Sequence, residues 1–511
     1  MTDHRLRVIA GSSADAARVL AILDETSIRV VLPGGQPSLA HQLIGITLVD
    51  LLGRLFPRIE VVTSPEAVVD PSLPPGPPTL FERLEIARAN GGLEGRATDD
   101  APFTVNVGSI DGPSSLFVDG NGWQSYIGTQ RSQLSFQPSR VPFGPLTAAC
   151  RAATHTFAAA FDTLRAARAM PRSSYSTILG YRTSYEPIAD EDMPSCAALD
   201  AVLVGAGSIG GAATYAFAHV PGLSGKLVLV DPQGLEERNP VRAILAHPDA
   251  AAVGAAKVDV AKEALAHHDG LTVVTRQMLI SEYHASLDQE QVLPLVLCAV
   301  DSYESRRSIQ DALPLEVINA ACHPEEVTIS RHVTDAGPCV CCLHMADVLD
   351  VVRKRSRLIA DATGFPEMTV IMLWNARTPL QPVQLRGIER HRGLSVGALA
   401  AYEGQPLEHL WRQALLYGEA LIQVEKTRVT VAAPFVTALA GFLLAAEAAK
   451  PADQHPGLKL GPGGVAIKYE ECPYASPEFA HLSKPERWPT SECLCRSSRR
   501  IRLMKKRYGL A

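Results

Sequence analysis

From Leu199 to Asp231 the chain reads LDAVLVGAGSIGGAATYAFAHVPGLSGKLVLVD, an apolar run, a glycine cluster, a stretch of small residues and a second apolar run closed by an acid. This pattern predicts a buried strand, a glycine turn, a helix and a second strand. An earlier segment, SIRVVLPGGQPSLAHQLIGITLVDLLGRLFPRIEVV, repeats it. FTVNVGS adds a strand to that first half. PFGPLTAACRAATHTFAAAF mirrors the later APFVTALAGFLLAAEAA in setting proline before a helix of small residues. In the second half, LPLVLCAVD reads as a strand ending in Asp301. From about Ala346 to Glu425 the pattern turns mostly helical, through ADVLDVVRKRSRLIADATG, SVGALAAYEG and PLEHLWRQALLYGEALIQVE. Asp70 to Pro78 and Tyr185 to Pro194 are proline-rich and polar and read as loops, the second dividing the halves. The expected fold class is α/β, with two Rossmann-like folds and a mostly helical insertion.

The glycines carry the first chemistry. Gly205, Gly207 and Gly210 let a backbone approach a phosphate at a helix N-terminus, where free N–H groups and the helix dipole favour anions. Asp231, at the tip of the next strand, is placed to accept hydrogen bonds from a ribose. The fingerprint alone favours a dinucleotide. The residues beyond Asp231 point instead to ATP: Asn239 and Arg242 come eight and eleven positions later, then Lys257, then Asp301. Hydride transfer needs no such set. Adenylyl transfer does, because cations must neutralise the triphosphate and an acid must hold Mg2+. The bland readings are a solvated pair for Arg242 and Lys257, and a helix N-cap for Asp301.

This ordered series, with Arg306 five residues after Asp301, resembles the adenylating family of the ubiquitin-activating enzymes and the bacterial molybdopterin- and thiamine-pathway adenylyltransferases (the ThiF/MoeB/HesA group). AGPCVCCL around Cys339 and APFVTALAGFLLAAEAAK from Ala433 look like two further family segments. The resemblance covers roughly residues 199 to 495. It implies four regions: an inactive adenylation-like domain over 1–190, an active adenylation domain over 191–345 and 429–511, and between those parts a catalytic-cysteine-type helical insertion over 346–428. The first glycine turn holds Gly34 and Gly35 but no third glycine, and the Asn, Arg and Lys set has no counterpart there. Fusion of the halves makes their pairing intramolecular. In this family an arginine from the inactive half often completes the site; no residue of the first half stands out for it.

By resemblance, Asn239, Arg242 and Lys257 serve catalysis, Gly205, Gly207, Gly210, Asp231 and Asp301 bind nucleotide, and Asp301 holds Mg2+. The implied reaction is ATP-dependent adenylation of the C-terminal carboxylate of a ubiquitin-like protein, followed by thioester transfer to a conjugating enzyme. Bacterial antiphage conjugation operons contain proteins of this appearance, which implies a role in antiviral defence. Ubiquitin-type activating enzymes place a nucleophilic cysteine just before the proline-helix segment. Here VEKTRVTVAAP sets Lys426 at that position, and no cysteine lies between Cys342 and Cys472. Lys426 is read as standing in for a catalytic cysteine, its amine able to form an amide in place of a thioester. Open alternatives are a surface lysine, Cys322 as nucleophile, or no thioester at all. The rival functions are an adenylyltransferase for sulfur-carrier or peptide modification without a relay, a non-catalytic nucleotide-binding scaffold for a ubiquitin-like partner, and more distantly a dehydrogenase.

Cys339-x-x-Cys342 and Cys493-x-Cys495 have the look of two zinc knuckles, and a structural Zn2+ held by four sulfurs would pin the C-terminal tail to the core. Relatives often carry C-x-x-C in both places, so C-L-C is a departure, and Cys341 or Cys472 is an alternative ligand. Composition changes little. At 511 residues, 46% hydrophobic and 20% charged, the chain reads as globular. A net charge of −6 gives no reason to expect nucleic acid. MTDHRLRVIAGS lacks the apolar core of an export signal, and Val431 to Ala449 is broken by Pro434 and Glu447, so a buried helix is expected rather than a membrane span. Ten cysteines without export signals then imply a reducing, cytoplasmic setting. RSSRRIRLMKKRYGLA carries seven basic residues and no acid, a solvated tail or a docking segment for an acidic surface. It is too short for the ubiquitin-fold domain that recruits conjugating enzymes in eukaryotic relatives.

Overall fold

The computed structural model describes residues 5, 13–96, 102–112, 114–133, 138–161, 172–188, 193–195, 198–288, 292–323, 326–333, 338–342, 356–357, 359–411, 433–450, 460, 463–468, 480–483 and 494–509. Two sheets organise the larger of two compact units, residues 1–8, 20–343 and 432–511. The first sheet takes β1 (Ser27–Val31), β2 (Arg58–Val62), β3 (Phe103–Val107), β4 (Leu116–Asn121), β5 (Gln124–Gly128), β6 (Ser174–Thr177) and β7 (Arg182–Ser184) in the order β2-β1-β3-β4-β5-β6-β7. The second takes β8 (Ala198–Val204), β9 (Ser224–Val230), β10 (Leu271–Arg276), β11 (Leu295–Cys298), β12 (Glu316–His323), β13 (Glu326–Val333), β14 (Gly463–Lys468) and β15 (Ala480–Ser483) in the order β10-β9-β8-β11-β12-β13-β14-β15. Both are parallel on the side of the glycine turn and antiparallel on the other, from β4 in the first and from β12 in the second. The internal echo in the sequence is therefore an echo of topology.

Helices α1 (Ser13–Glu25), α2 (Leu39–Gly53), α3 (Leu80–Ala89) and α4 (Phe143–Ala160) fall in the first part of the chain, and α5 (Ser208–Ala218), α6 (Pro248–Ala252), α7 (Lys257–Ala264), α8 (Ile280–Ser286) and α9 (Tyr303–Asp311) in the second. α10 (Glu367–Asn375), α11 (Pro382–Arg392), α12 (Leu407–Leu410), α13 (Pro434–Ala449) and α14 (Ser498–Tyr508) complete the set among the described residues. α2 and α13 are buried nearly all round, which is what apolar residues on every face demand. α4 packs on β4 and β5, α13 on β12 and β13, and α4 meets α13. The rings of Phe157 and Phe435 lie 5.4 Å apart, and the hydroxyls of Thr47 on α2 and Tyr215 on α5 lie 3.1 Å apart. Four helices thus form a shared layer between the sheets. Gly441 permits the closest approach: a Cβ there would sit 2.3 Å from the Ile209 carbonyl oxygen of α5.

The basic C-terminal segment is not a solvated tail. It folds as α14, whose Arg500 donates to the Gln310 carbonyl at 3.0 Å and pairs with Asp311 at 2.6 Å, while the Tyr508 hydroxyl donates to the Leu313 carbonyl at 2.8 Å.

The second compact unit comprises residues 9–19 and 344–431. Its described core gathers Ile359, Leu373, Leu380, Leu385, Ile388, Leu407, Leu410 and Trp411 from α10, α11, α12 and their connections. Within it the buried Glu389 carboxylate accepts from the backbone N–H groups of Gly397 and Leu399, at 3.1 and 2.9 Å. Among the described residues, no helix is long and apolar enough to cross a membrane.

Candidate active site

The site grows from the turn between β8 and α5. Gly205 sits at φ +91°, a backbone that side chains rarely adopt, and its N–H bonds the Val230 carbonyl of β9 at 2.8 Å. A Cβ on Gly210 would lie 1.8 Å from the Gly205 carbonyl oxygen, so the helix meets the strand only because that side chain is absent. Gly207 is the N-cap of α5 and brings no side chain to its first amides. Those amides are left for a ligand oxygen.

Asp231 follows β9 and is buried. Its carboxylate accepts from the N–H of Ala206 at 2.7 Å and of Gln233 at 2.8 Å. It therefore holds the glycine turn and the next loop together, and what capacity it keeps for a ribose is beyond those two bonds. Gln233 in turn accepts from the Lys257 ammonium at 2.6 Å. Lys257, at the first position of α7, is buried, and burial lowers its pKa; the nearby Asp231 opposes that shift and Arg242 adds to it.

Asn239 and Arg242 lie on the loop between β9 and α6. The Asn239 side-chain oxygen accepts from the Glu236 N–H at 2.9 Å, and the Arg242 N–H bonds the Asn239 carbonyl at 3.0 Å. The Thr437 hydroxyl of α13 donates to the Arg242 carbonyl at 3.1 Å. A small cleft is lined by Ala206, Gly207 and Ser208 together with Asn239, Arg242 and Lys257, its remaining wall apolar, with Leu235, Leu245 and Val260 among its residues. Two cations and an uncapped helix N-terminus thus face one space. That arrangement suits a polyphosphate, because both donors and charge are fixed before the ligand arrives.

Asp301 does not line this cleft. β11 ends at Cys298, three residues earlier than the sequence pattern suggests, and Asp301 is exposed on the turn beyond it at the same end of the sheet. The N-cap of α9 is Ser302, whose hydroxyl accepts from the Ser305 N–H at 3.1 Å, so the capping role considered for Asp301 falls to its neighbour. Arg306 is buried and donates to the carbonyls of Val300 at 2.7 Å and Asp301 at 3.3 Å. It fixes the turn rather than facing a ligand.

Cys339 and Cys342 lie 3.7 Å apart at sulfur, Cys342 and Cys495 3.6 Å. All three sulfurs fall within 4.8 Å of one another. Sulfurs at about 2.3 Å from a tetrahedral zinc stand roughly 3.8 Å apart, so these three fit that ion and would pin the C-terminal segment to the core. Cys493 and Cys472 lie outside the described residues, as does Lys426. Cys322 is poorly suited to be a nucleophile. Its thiol points to the Val436 carbonyl at 3.6 Å, and burial pushes its pKa up to about 12.

Sequence reasoning had no signal for Gln233, a neutral side chain that orients Lys257, or for Thr437, whose role is a single bond to a backbone carbonyl.

With this geometry in place the kinship of the chain is clear. The ThiF family model matches residues 181–483, and the chain belongs to the ThiF family. ATP-dependent adenylyl transfer to a carboxylate goes with that membership. A protein of Sinorhizobium fredii (strain NBRC 101917 / NGR234), described as uncharacterized protein y4jF, is 28% identical over 480 residues, covering 90% of this chain and 87% of its own. Among solved structures, E. coli MccB with succinimide is similar at 15% identity and a TM-score of 0.33, over 57% of this chain and 66% of that one, just under two thirds. E. coli MccB with ATP gives 15% and 0.33 over 58% and 66%. At these scores the likeness to the solved chains decides neither fold nor function.

Proposed function

We propose that this chain activates the C-terminal carboxylate of a ubiquitin-like protein by adenylation. The observation that carries the reading is the single cleft where the uncapped start of α5 meets Arg242, Lys257 and Asn239. ATP binds with its phosphates toward the α5 amides. Arg242 and Lys257 balance charge as a carboxylate oxygen attacks the α-phosphorus, forming an acyl-adenylate while the bond to the β-phosphate breaks and pyrophosphate leaves. Asp301, exposed on the turn beyond β11 at the same end of the sheet, would hold Mg2+, which supplies further charge neutralisation. Asn239 keeps its loop in register. The first half, 1–190, serves as the inactive partner of the domain formed by 191–345 and 429–511, and 346–428 is the acyl-transfer insertion. Cys339, Cys342 and Cys495 would hold a structural Zn2+, with Cys493 proposed as the fourth ligand.

Residue 426 then receives the acyl group. A cysteine there would give a thioester for a conjugating enzyme; the Lys426 amine gives an amide, with AMP released and a proton lost from nitrogen. The second reading, adenylation without a relay, is favoured by the absence of cysteine between Cys342 and Cys472 and by the suppressed ionisation of Cys322. A peptide carboxylate is the substrate class of that reading.

The test is pyrophosphate release from ATP on adding a ubiquitin-like protein with a free C-terminal glycine, compared with the same protein amidated at its C-terminus. Release only with the free carboxylate supports adenylation; no difference sinks it. Intact mass then separates the readings. An adduct that resists thiols in this chain and becomes thiol-sensitive in Lys426→Cys supports the relay, and no adduct in either chain supports adenylation alone.

A further inference from the structure

We propose that Arg54, from the first half of the chain, is the positioning residue that sets the Asn239–Ala246 loop and thereby the reach of Arg242 into the cleft; this rests on the adenylation site proposed above. Arg54 caps the C-terminal end of α2 and is fully buried. Its guanidinium donates to four carbonyls of that one loop: Pro240, Ala243 at 2.8 Å, Ile244 at 2.7 Å and Ala246 at 3.1 Å. Its Nε donates to Asp50 at 2.7 Å, and the other Asp50 oxygen accepts from the Asn90 amide.

Four carbonyl oxygens turned toward one point repel each other unless a cation lies among them. A guanidinium alone offers five N–H groups in a plane to meet such a ring and a carboxylate together. Without it the Pro240, Ile244 and Ala246 carbonyls would lose this donor in a buried setting, while the Ala243 carbonyl would keep only the Ala246 N–H at 2.9 Å, and the loop would rearrange. The loop is the segment that carries Asn239 and Arg242, so its path decides where that second guanidinium points. Arg54 is itself held firmly. A Cβ on Gly91 would lie 2.5 Å from the Arg54 Cα, and one on Gly53 2.4 Å from the Arg88 carbonyl oxygen, so the ends of α2 and α3 are in backbone contact. The first half thus contributes to the second half's chemistry through one arginine that never meets the substrate.

The experiment is calorimetric titration of the full chain with Mg-ATP and, separately, with adenosine. Because Arg54→Leu would strand Asp50 and risk unfolding, the variants are Asp50→Asn/Arg54→Met, which removes both charges, and Arg54→Lys, which keeps the cation but lacks the planar fork. Each is compared with Arg242→Ala and combined with it. Positioning predicts a loss of roughly tenfold in ATP affinity with adenosine binding unchanged, and no further loss in the Arg242→Ala background. A merely structural Arg54 would weaken ATP and adenosine alike, or add its loss to that of Arg242→Ala, or change neither; any of these overturns the proposal. If Arg242→Ala itself binds ATP as the parent does, the site reading fails and takes this inference with it, a result distinguishable from failure of the Arg54 variants alone.

Discussion

The two glycine turns of this chain share a topology and differ in how their helices begin. After β1 the chain takes seven residues, 32–38, to reach α2; after β8 it takes three, 205–207, to reach α5. Ser38 caps α2 with its own side chain, accepting from the His41 N–H at 3.2 Å, whereas Gly207 leaves the start of α5 open. Gln36 ties the first turn to Val68 through both its amide groups, and Gln42 ties it to Pro37 and Asp70. His41 pairs with Asp119 at 3.2 Å and presses on Gly108 at the end of β3. Where Val62 ends β2 the next residue is Thr63; where Val230 ends β9 it is Asp231. The same strand-turn-helix unit is therefore closed by side chains in one half and left open to an anion in the other. On the proposed reading, nucleotide binding depends on what the helix start lacks as much as on the cations that share its cleft.

The largest effect expected is on the open turn. Arg242→Ala or Lys257→Ala should lower ATP-dependent pyrophosphate release by about 100-fold or more while leaving the melting temperature near that of the parent. Gln36→Ala in the closed turn should change release by less than about twofold. Pyrophosphate release rates decide both, and equal effects in the two turns would erase the contrast.

Packing differs next. Gly210→Ala drives a Cβ into the Gly205 carbonyl and should cost about 3 kcal/mol in denaturant unfolding. Gly34 has no positive φ, and nothing lies within 4 Å of where its Cβ would sit, so it should tolerate alanine within about 1 kcal/mol.

The far ends of α2 and α5 diverge too. One is capped by the charged, carboxylate-paired Arg54, the other by His219, whose Nδ1–H donates to the Tyr215 carbonyl at 2.8 Å. Burial brings the His219 pKa down from 6.5 to about 4. Between those values the unfolded chain holds the extra proton, so stability falls as pH drops below 6.5 and stops falling below about 4. From pH 7 to pH 5 this group should remove roughly 2 kcal/mol, and His219→Gln should flatten that slope. An unchanged slope would mean that His219 titrates normally. Smallest is the cap itself: Ser38→Ala should cost about 1 kcal/mol of stability by thermal or chemical melting and nothing in ATP affinity.

Much of this contrast was legible in the residues. Gly205, Gly207 and Gly210 announce an open turn, and Asn239, Arg242 and Lys257 follow at spacings that a loop and a helix start bring back to the same edge. The missing third glycine marked the first turn as different, whereas the Ser38 cap emerged only from the structure. Other features left no trace in residue types. Arg54 acts on backbone carbonyls 186 to 192 positions away, and any residue can supply a carbonyl. Asp301 ends an apolar run that overshoots its strand, because the register of β11 with β8 and β12 stops at Cys298 while Ala299 and Val300 remain apolar in the turn. Cys322 is chemically plausible by type but half-buried, its thiol turned to the Val436 carbonyl of α13 and its pKa pushed up to about 12.

The most direct test is the number of ATP molecules bound per chain, measured by calorimetry on the full protein at saturating Mg-ATP. One site, lost in Arg242→Ala/Lys257→Ala and retained in Ser38→Ala, is the predicted result. Two sites per chain, or a single site that survives loss of both cations, would contradict it.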